Sequence, residues 1–258
     1  MKKVNVLFYI GFFIILLSIV SCKKEAKKIA DFSFVPGSQA LLKINYVSSY
    51  ATNPGVQLTL NDIRVSNVIT ARTPFPGGGY NTGGGSTPDY LSVNPGNIKV
   101  AVSIPKKGTN TDSLPLYTTN VTLEGGKNYT AHITDTAAKT KIILTVDDLQ
   151  KPDTPYSKHR FINLMPNVAA LDLYYGTTIV AANIPYLGVS NYFTIKVPTT
   201  ALAWTIREAG ALPTSPALAT YTSASTTTNQ RIYTDFAVGY KGATDAARKP
   251  YISFFLNY

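Results

Sequence analysis

One thiol, two imidazoles and one adjacent carboxylate pair are the groups in this 258-residue chain best suited to chemistry. They are Cys22, His132, His159 and Asp147-Asp148. A transition-metal site draws three or four N, S or O ligands, and two histidines do not supply them. Asp147-Asp148 could feed a Ca²⁺ site, but no D-x-D-x-D-G loop accompanies it, so the pair reads as a solvated strand end. The hydrolase elbow G-x-S-x-G is absent. So is a phosphate-cradling loop: Gly125-Gly126-Lys127-Asn128 lacks the upstream glycine spacing and the hydroxyl. His132 lies in the strand-like YTAHITD and His159 at the start of another strand. Both read as packed or surface residues rather than bases. The expectation is no metal, no cofactor and no catalysis, with an esterase or glycosidase the least favoured reading.

Cys22 is the exception. Lys2 and Lys3 precede an apolar stretch from Val4 to Val20, then Ser21, Cys22 and KKEAKK follow. A basic start, an oily centre and a small residue describe a secretory signal. Ile19-Val20-Ser21-Cys22 resembles the bacterial lipobox, whose cysteine is acylated and becomes the new amino terminus. The resemblance implies a signal peptide at residues 1–21, a lipidated tether at 22–37, and a membrane partner engaged through acylated Cys22. The implied location is the outer membrane of a gram-negative cell envelope. Each buried acyl methylene contributes about 0.8 kcal/mol, and stable anchoring takes more than one chain. An uncleaved helix is the alternative, since roughly 17 apolar residues sit at the lower limit for spanning a bilayer. A plain signal peptide with an incidental cysteine is another. With no second cysteine, no internal disulfide can form. The basic stretch after Cys22 leans toward the periplasmic face, and the cell-surface face stays open.

Charge excludes one class of partner. Of the net +10, +2 comes from Lys2 and Lys3 and +3 from Lys23–Lys28, leaving +5 over the rest. No run of Lys or Arg interleaved with aromatics occurs there, so no nucleic acid is expected as a partner.

The elements that would position any site are strands. ALLKINYV (Ala40–Val47), VQLTL followed by Asn61-Asp62, IKVAVSI (Ile98–Ile104) and IILTV (Ile142–Val146) alternate with period two between turn residues. Val121–Leu123, Gly125-Gly126 and Tyr129–Ile133 read as a hairpin. Leu123, Gly126 and Tyr129 also have the spacing of a tyrosine corner. No amphipathic helix of ten residues follows the signal. The pattern is then written again in the same order. KINYV (43–47) answers RFINL (160–164), and VQLTLND (56–62) answers LDLYYGT (171–177). YLSV (90–93) answers YFTI (192–195), NYTAHI (128–133) answers IYTDFA (232–237), and KIILTVDDL (141–149) answers PYISFFLNY (250–258). The fold class expected is all-β: two tandem Ig-like antiparallel β-sandwich domains at 38–150 and 156–258, joined by the proline-bearing linker Gln150–Pro155. One sandwich holding both halves in a single core is the alternative.

ALLKINYVS, the VQLTLND hairpin, YLSVNPGNIKVAV and LEGGKNYTAHI, behind a lipobox, resemble the bacterial envelope family labelled domain of unknown function 4397. The likeness covers nearly all the chain after the signal and implies an exported Ig-like sandwich. It implies no catalytic residue.

The candidate ligand-binding residues are aromatic. Pro74–Asp89, PFPGGGYNTGGGSTPD, reads as a long mobile insertion with no counterpart in the second half, and it carries Phe75 and Tyr80. It reads equally as a flexible loop with no ligand. Tyr174 and Tyr175 would point to opposite faces of a strand, one to the core and one exposed. Trp204 reads either as a sugar-stacking platform or as the buried aromatic of the second sandwich. Phe75, Tyr80, Tyr175 and Trp204 are therefore the residues expected to meet a ligand. Two functions follow: a lipid-anchored scaffold or adhesion protein for an unidentified envelope protein, or a glycan-binding lipoprotein of a nutrient-uptake system.

Overall fold

The computed structural model describes residues 37–106, 108 and 112–258. The signal segment, Cys22 and all but the last residue of the tether lie outside them. Among the described residues there is no α-helix, and no helix is long and apolar enough to cross a membrane.

The first half contains β1 (Ala40–Tyr46), β2 (Gln57–Leu60), β3 (Ile63–Arg64), β4 (Gly79–Tyr80) and β5 (Leu91–Val93). It continues with β6 (Gly96–Pro105), β7 (Asp112–Leu123), β8 (Asn128–Thr134) and β9 (Lys141–Val146). Two four-stranded sheets result, β5-β1-β8-β9 and β3-β2-β6-β7. The second half contains β10 (Tyr156–Asn163), β11 (Ala170–Tyr175), β12 (Thr178–Pro185) and β13 (Phe193–Lys196). β14 (Trp204–Glu208), β15 (Ala219–Tyr221), β16 (Ile232–Val238) and β17 (Tyr251–Leu256) complete it. Its sheets are β13-β10-β16-β17 and β12-β11-β14-β15. With β4 set aside, the two orders are the same, strand for strand.

Each pair of sheets encloses its own core. Leu42, Ile44, Tyr46, Leu58, Val100, Val102, Tyr129 and Ile133 fill the first. Phe161, Leu171, Leu173, Trp204, Ile206, Tyr233 and Phe254 fill the second. The molecule is all-β and built of sandwiches, four strands on four. An Ig constant-type domain sets four on three. Here the first strand of each repeat lies parallel to the seventh, β1 beside β8 and β10 beside β16. Lys43 pairs with Thr130 and Arg160 with Thr234, so KINYV and RFINL occupy equivalent places, residue for residue.

Two expectations change. Leu123 to Tyr129 is not a hairpin turn: β7 and β8 belong to different sheets. It is a crossover, and the Tyr129 hydroxyl accepts the Glu124 N–H at 3.1 Å, as a tyrosine corner requires. The second half repeats it without the glycines: the Tyr233 hydroxyl donates to Ser225 O at 2.7 Å and accepts the Thr228 N–H. Nor does the glycine-rich insertion hang free. Its β4 pairs antiparallel with β17 of the other sandwich, Gly79 opposite Phe255 and Tyr80 opposite Phe254. The Leu256 N–H donates to Gly78 O at 3.0 Å, Asn81 Nδ2 donates to Ile252 O and Ser253 Oγ donates to Asn81 O. A Cβ on Gly79 would lie 1.6 Å from Phe254 O. Glycine there serves close backbone approach rather than mobility.

Candidate functional site

β1 and β10 are buried on both faces. One face of each enters its own core. The other faces meet. Val47, Ile162, Leu164, Phe236, Val238 and Phe255, drawn from both halves, form a third apolar cluster between the sandwiches. Around it the seam is polar and reciprocal. Lys43 Nζ donates to Leu256 O on β17 at 2.5 Å, and Arg160 Nη1 donates to Val146 O on β9 at 2.7 Å. Leu256 lies opposite Tyr233 and Val146 opposite Tyr129, so the two carbonyls are equivalent as well. Each repeat thus sends a cation from the same position to the same carbonyl of the other, the mark of an isologous interface.

The charges are compensated. Arg160 binds Asp147 Oδ1, Thr145 Oγ1 and Thr234 Oγ1. Asp147 Oδ2 accepts from Tyr90 at 3.0 Å and from Thr130 at 2.6 Å. Asp147 is therefore buried and paired, not a solvated strand end; Asp148, half-exposed, holds Lys158 at 2.6 Å. Burial pushes Lys43 down to about 8, against the pull of Asp147 and Asp89. Its ammonium lies 4.2 Å from the Tyr90 ring centre. Burial, then the nearby Arg160 charge, hold His132 well below the usual imidazole range. The ring meets Phe236 and Phe255 edge-on.

At one end of the seam a cleft of about 520 Å³ opens. Its walls are the segment after β1 (Ser49, Tyr50, Ala51), the β8–β9 turn (135–139), and Tyr240 and Arg248 from the β16–β17 loop. The β8–β9 turn carries two left-handed residues, Asp135 (φ 62°) and Ala137 (φ 54°). A left-handed alanine costs about 1–2 kcal/mol, and something must hold it. The Tyr50 hydroxyl accepts the Ala137 N–H at 2.8 Å. Tyr240, from the other sandwich, donates to Asp135 Oδ1 at 2.8 Å. Burial raises the Tyr240 phenol, so it stays a donor. One sandwich alone keeps the Tyr50 brace and loses the one from Tyr240.

A Ser–His–Asp relay also exists, deep in the second core. Ser157 Oγ lies 2.9 Å from His159 Nε2, and His159 Nδ1 lies 3.1 Å from both Asp235 oxygens. All three residues are 0% exposed. The imidazole is stacked between Phe193 and Tyr233, with Trp204 5.0 Å away. Burial raises the Asp235 carboxyl, with His159 opposing. The geometry of a nucleophile and its base is present, but the rings enclose it where a substrate would have to enter. Among the described residues no group of three or more His, Cys, Asp or Glu is placed to hold a metal ion.

The aromatic candidates are not brought together into one site. Trp204 is fully enclosed, and its indole N–H donates to Thr226 Oγ1 at 2.9 Å. Tyr175 packs on it, ring centres 4.5 Å apart. Tyr174 is enclosed as well: its hydroxyl donates to Ala211 O and Arg207 lies over its ring. The expected exposed partner of this pair does not exist, because both faces of β11 are buried and the side chain of Arg207 covers the Tyr174 ring. Phe75 is half-buried against the first core, its backbone bonded to Ile44. Tyr80 is half-buried beside Tyr233. Cys22 lies outside the described residues. The cleft residues were missed, although a signal existed: Ala137-Ala138-Lys139 before β9 is matched by Ala246-Ala247-Arg248 before β17.

Two sandwiches of one strand order, fused face to face through a reciprocal buried seam, define the class: a tandem β-sandwich protein. The family model described as "Domain of unknown function (DUF4397)" matches residues 43–174, half of the chain, running from β1 into β11. The chain belongs to that family. No curated protein matches it in sequence. Among solved structures it is similar to the C-terminal domain of AlgF from P. aeruginosa, at 15% identity, over 43% of this chain and 99% of that one, TM-score 0.25. It is also similar to CBMbc (family CBM26) from Eubacterium rectale Amy13K, solved with maltoheptaose, at 9% identity, over 81% and 100%, TM-score 0.21. At these TM-scores neither likeness bears on function.

Proposed function

We propose that this is a non-enzymatic, lipid-anchored cell-envelope protein whose two sandwiches act as one rigid scaffold or adhesion module. The observation that carries the reading is the seam. Arg160, Asp147 and Lys43 are buried across it, so the repeats present a single body to a partner instead of two tethered beads. The enclosure of Ser157, His159 and Asp235 supports binding over hydrolysis. The anchor rests on Ile19-Val20-Ser21-Cys22. The test is to label producing cells with a palmitate analogue and crosslink intact envelopes. Label on the wild type but not on Cys22→Ala, with a discrete crosslinked partner lost when the seam is broken by Asp147→Asn, is the expected result. An unlabelled wild type overturns the anchor, and crosslinking indifferent to the seam overturns the rigid module.

A second reading, a carbohydrate-binding lipoprotein of a nutrient-uptake system, draws on the cleft, which Ser49, Tyr50, Thr136 and Tyr240 line together with Asp135. A glycan array probed with the full chain tests it, and a blank array sinks it.

A further inference from the structure

We infer that the cleft at the end of the seam binds an acidic saccharide of one or two units, its carboxylate between Lys139 and Arg248 and its hydroxyls on Asp135, Tyr50 and Tyr240. The inference rests on the carbohydrate-binding reading and gives it a place and a ligand class. The cavity, about 520 Å³, falls within the ~300–1,000 Å³ range of small-ligand sites.

The duplication supplies the charge. Lys139 and Arg248 each follow an Ala-Ala pair just before the last strand of their repeat. The face-to-face seam turns both loops toward one opening, so both cations line it. Neither is fully engaged elsewhere. Lys139 has no side-chain hydrogen bond or ion pair among the described residues, and Arg248 commits only Nε to Asp245, at 2.9 Å. The two terminal nitrogens of that guanidinium remain for a bidentate partner.

Asp135 decides what kind of anion fits. Its Oδ1 is held by Tyr240 and by the Thr136 N–H, and Oδ2 takes no hydrogen bond among the described residues. A carboxylate with a free oxygen accepts from hydroxyl groups and repels a ligand that is only negative. Phosphate or an acidic peptide would need the cations and suffer from Asp135. A neutral sugar would use Asp135 and the tyrosines and leave the cations idle. A sugar acid uses both sets. The strained turn that presents Asp135 is braced before any ligand arrives, by Tyr50 from its own sandwich and Tyr240 from the other, which is where stored strain has a function.

The test is calorimetric titration of the full chain, in mild detergent, with digalacturonate, lactose, an Asp-Glu dipeptide and inorganic phosphate. Saturable digalacturonate binding, at least about tenfold tighter than the other three, is expected. Arg248→Gln and Lys139→Gln each weaken it about tenfold, the size of one lost charge-assisted hydrogen bond. Both side chains are solvent-exposed, so folding is preserved, and circular dichroism checks it. Ala138→Trp fills the cleft without removing a charge and must also abolish binding. Lactose bound as tightly as digalacturonate, or binding unmoved by all three variants, overturns the inference and leaves the carbohydrate reading standing. Dipeptide or phosphate bound as well as the sugar acid overturns the ligand class. No sugar bound at all, with a blank array, removes both.

Discussion

Lys43 and Arg160 stand at one position of the repeat and solve the same problem with different chemistry. Arg160 makes four hydrogen bonds, to Thr234, Val146, Thr145 and Asp147. Removing one partner of such a pair strands a buried charge and costs about 3–5 kcal/mol. Asp147→Asn should therefore lower the urea midpoint far more than any surface change, read by tryptophan fluorescence. Lys43 instead pays for its burial with a depressed ionisation, about 8 against an ordinary 10.5. Below pH 8 both states hold the proton and this cost is complete. Above pH 8 the folded state releases it while the unfolded chain keeps it, so stability rises with pH. The Lys43 contribution to the unfolding free energy, read as wild type minus Lys43→Met, should climb by about 2 kcal/mol between pH 8 and 9.5, against an opposing fall from the tyrosines whose phenols burial raises. Lys43→Met should remove that rise, and a pH profile identical to wild type would show the ammonium to be solvated.

Single elements carry the asymmetry between the repeats. β17 and β9 are equivalent edge strands, and only β17 is covered. The two-residue β4 covers it by addition of a strand, which also blunts an edge that could otherwise recruit another chain. Gly79→Val drives a side chain into Phe254 O, which any Cβ at that position would meet at 1.6 Å. The strap should detach without unfolding the sandwich. Hydrogen exchange would then quicken at the Leu256 amide, which donates to Gly78 O, while the Val100 and Val102 amides of the first core keep their rate. The β8–β9 turn is the other special element. Ala137→Gly relieves a left-handed alanine (φ 54°) and should stabilise the fold by up to about 1 kcal/mol after the entropy cost of glycine, read as a higher melting temperature.

At the scale of the molecule, the seam makes an internal dimer. Equivalent residues touch equivalent residues across it, as in a two-fold homodimer, and the third apolar cluster belongs to neither repeat alone. Residues 37–258 should unfold in one calorimetric transition, with equal calorimetric and van't Hoff enthalpies. Two resolved transitions would mean that the sandwiches are independent. Residues 156–258 made alone would expose Phe236, Val238 and Phe255 together with the uncovered β17 edge, and should associate or precipitate rather than stay monomeric.

Much of this was legible in the order of residues. Alternation marked the positions of β1, β2, β6 and β9, and the pairing of KINYV with RFINL held in register, because a strand buried against a core must place its apolar residues every second position. The tyrosine corner could be read from the spacing around Tyr129. What alternation could not say is what covers the other face of a strand. Lys43, Arg160 and Asp147 look like solvent-facing residues in a list of letters, and burial with a partner from the opposite repeat leaves the same pattern as exposure. Tyr174 and Tyr175 misled for that reason. The glycines of the strap spelled mobility until a neighbouring backbone came within contact. The family and the all-β fold were thus determined locally, by period and turn chemistry. The seam, the strap and the cleft were decided only when distant segments met, since their energies depend on distance in space and not on separation along the chain.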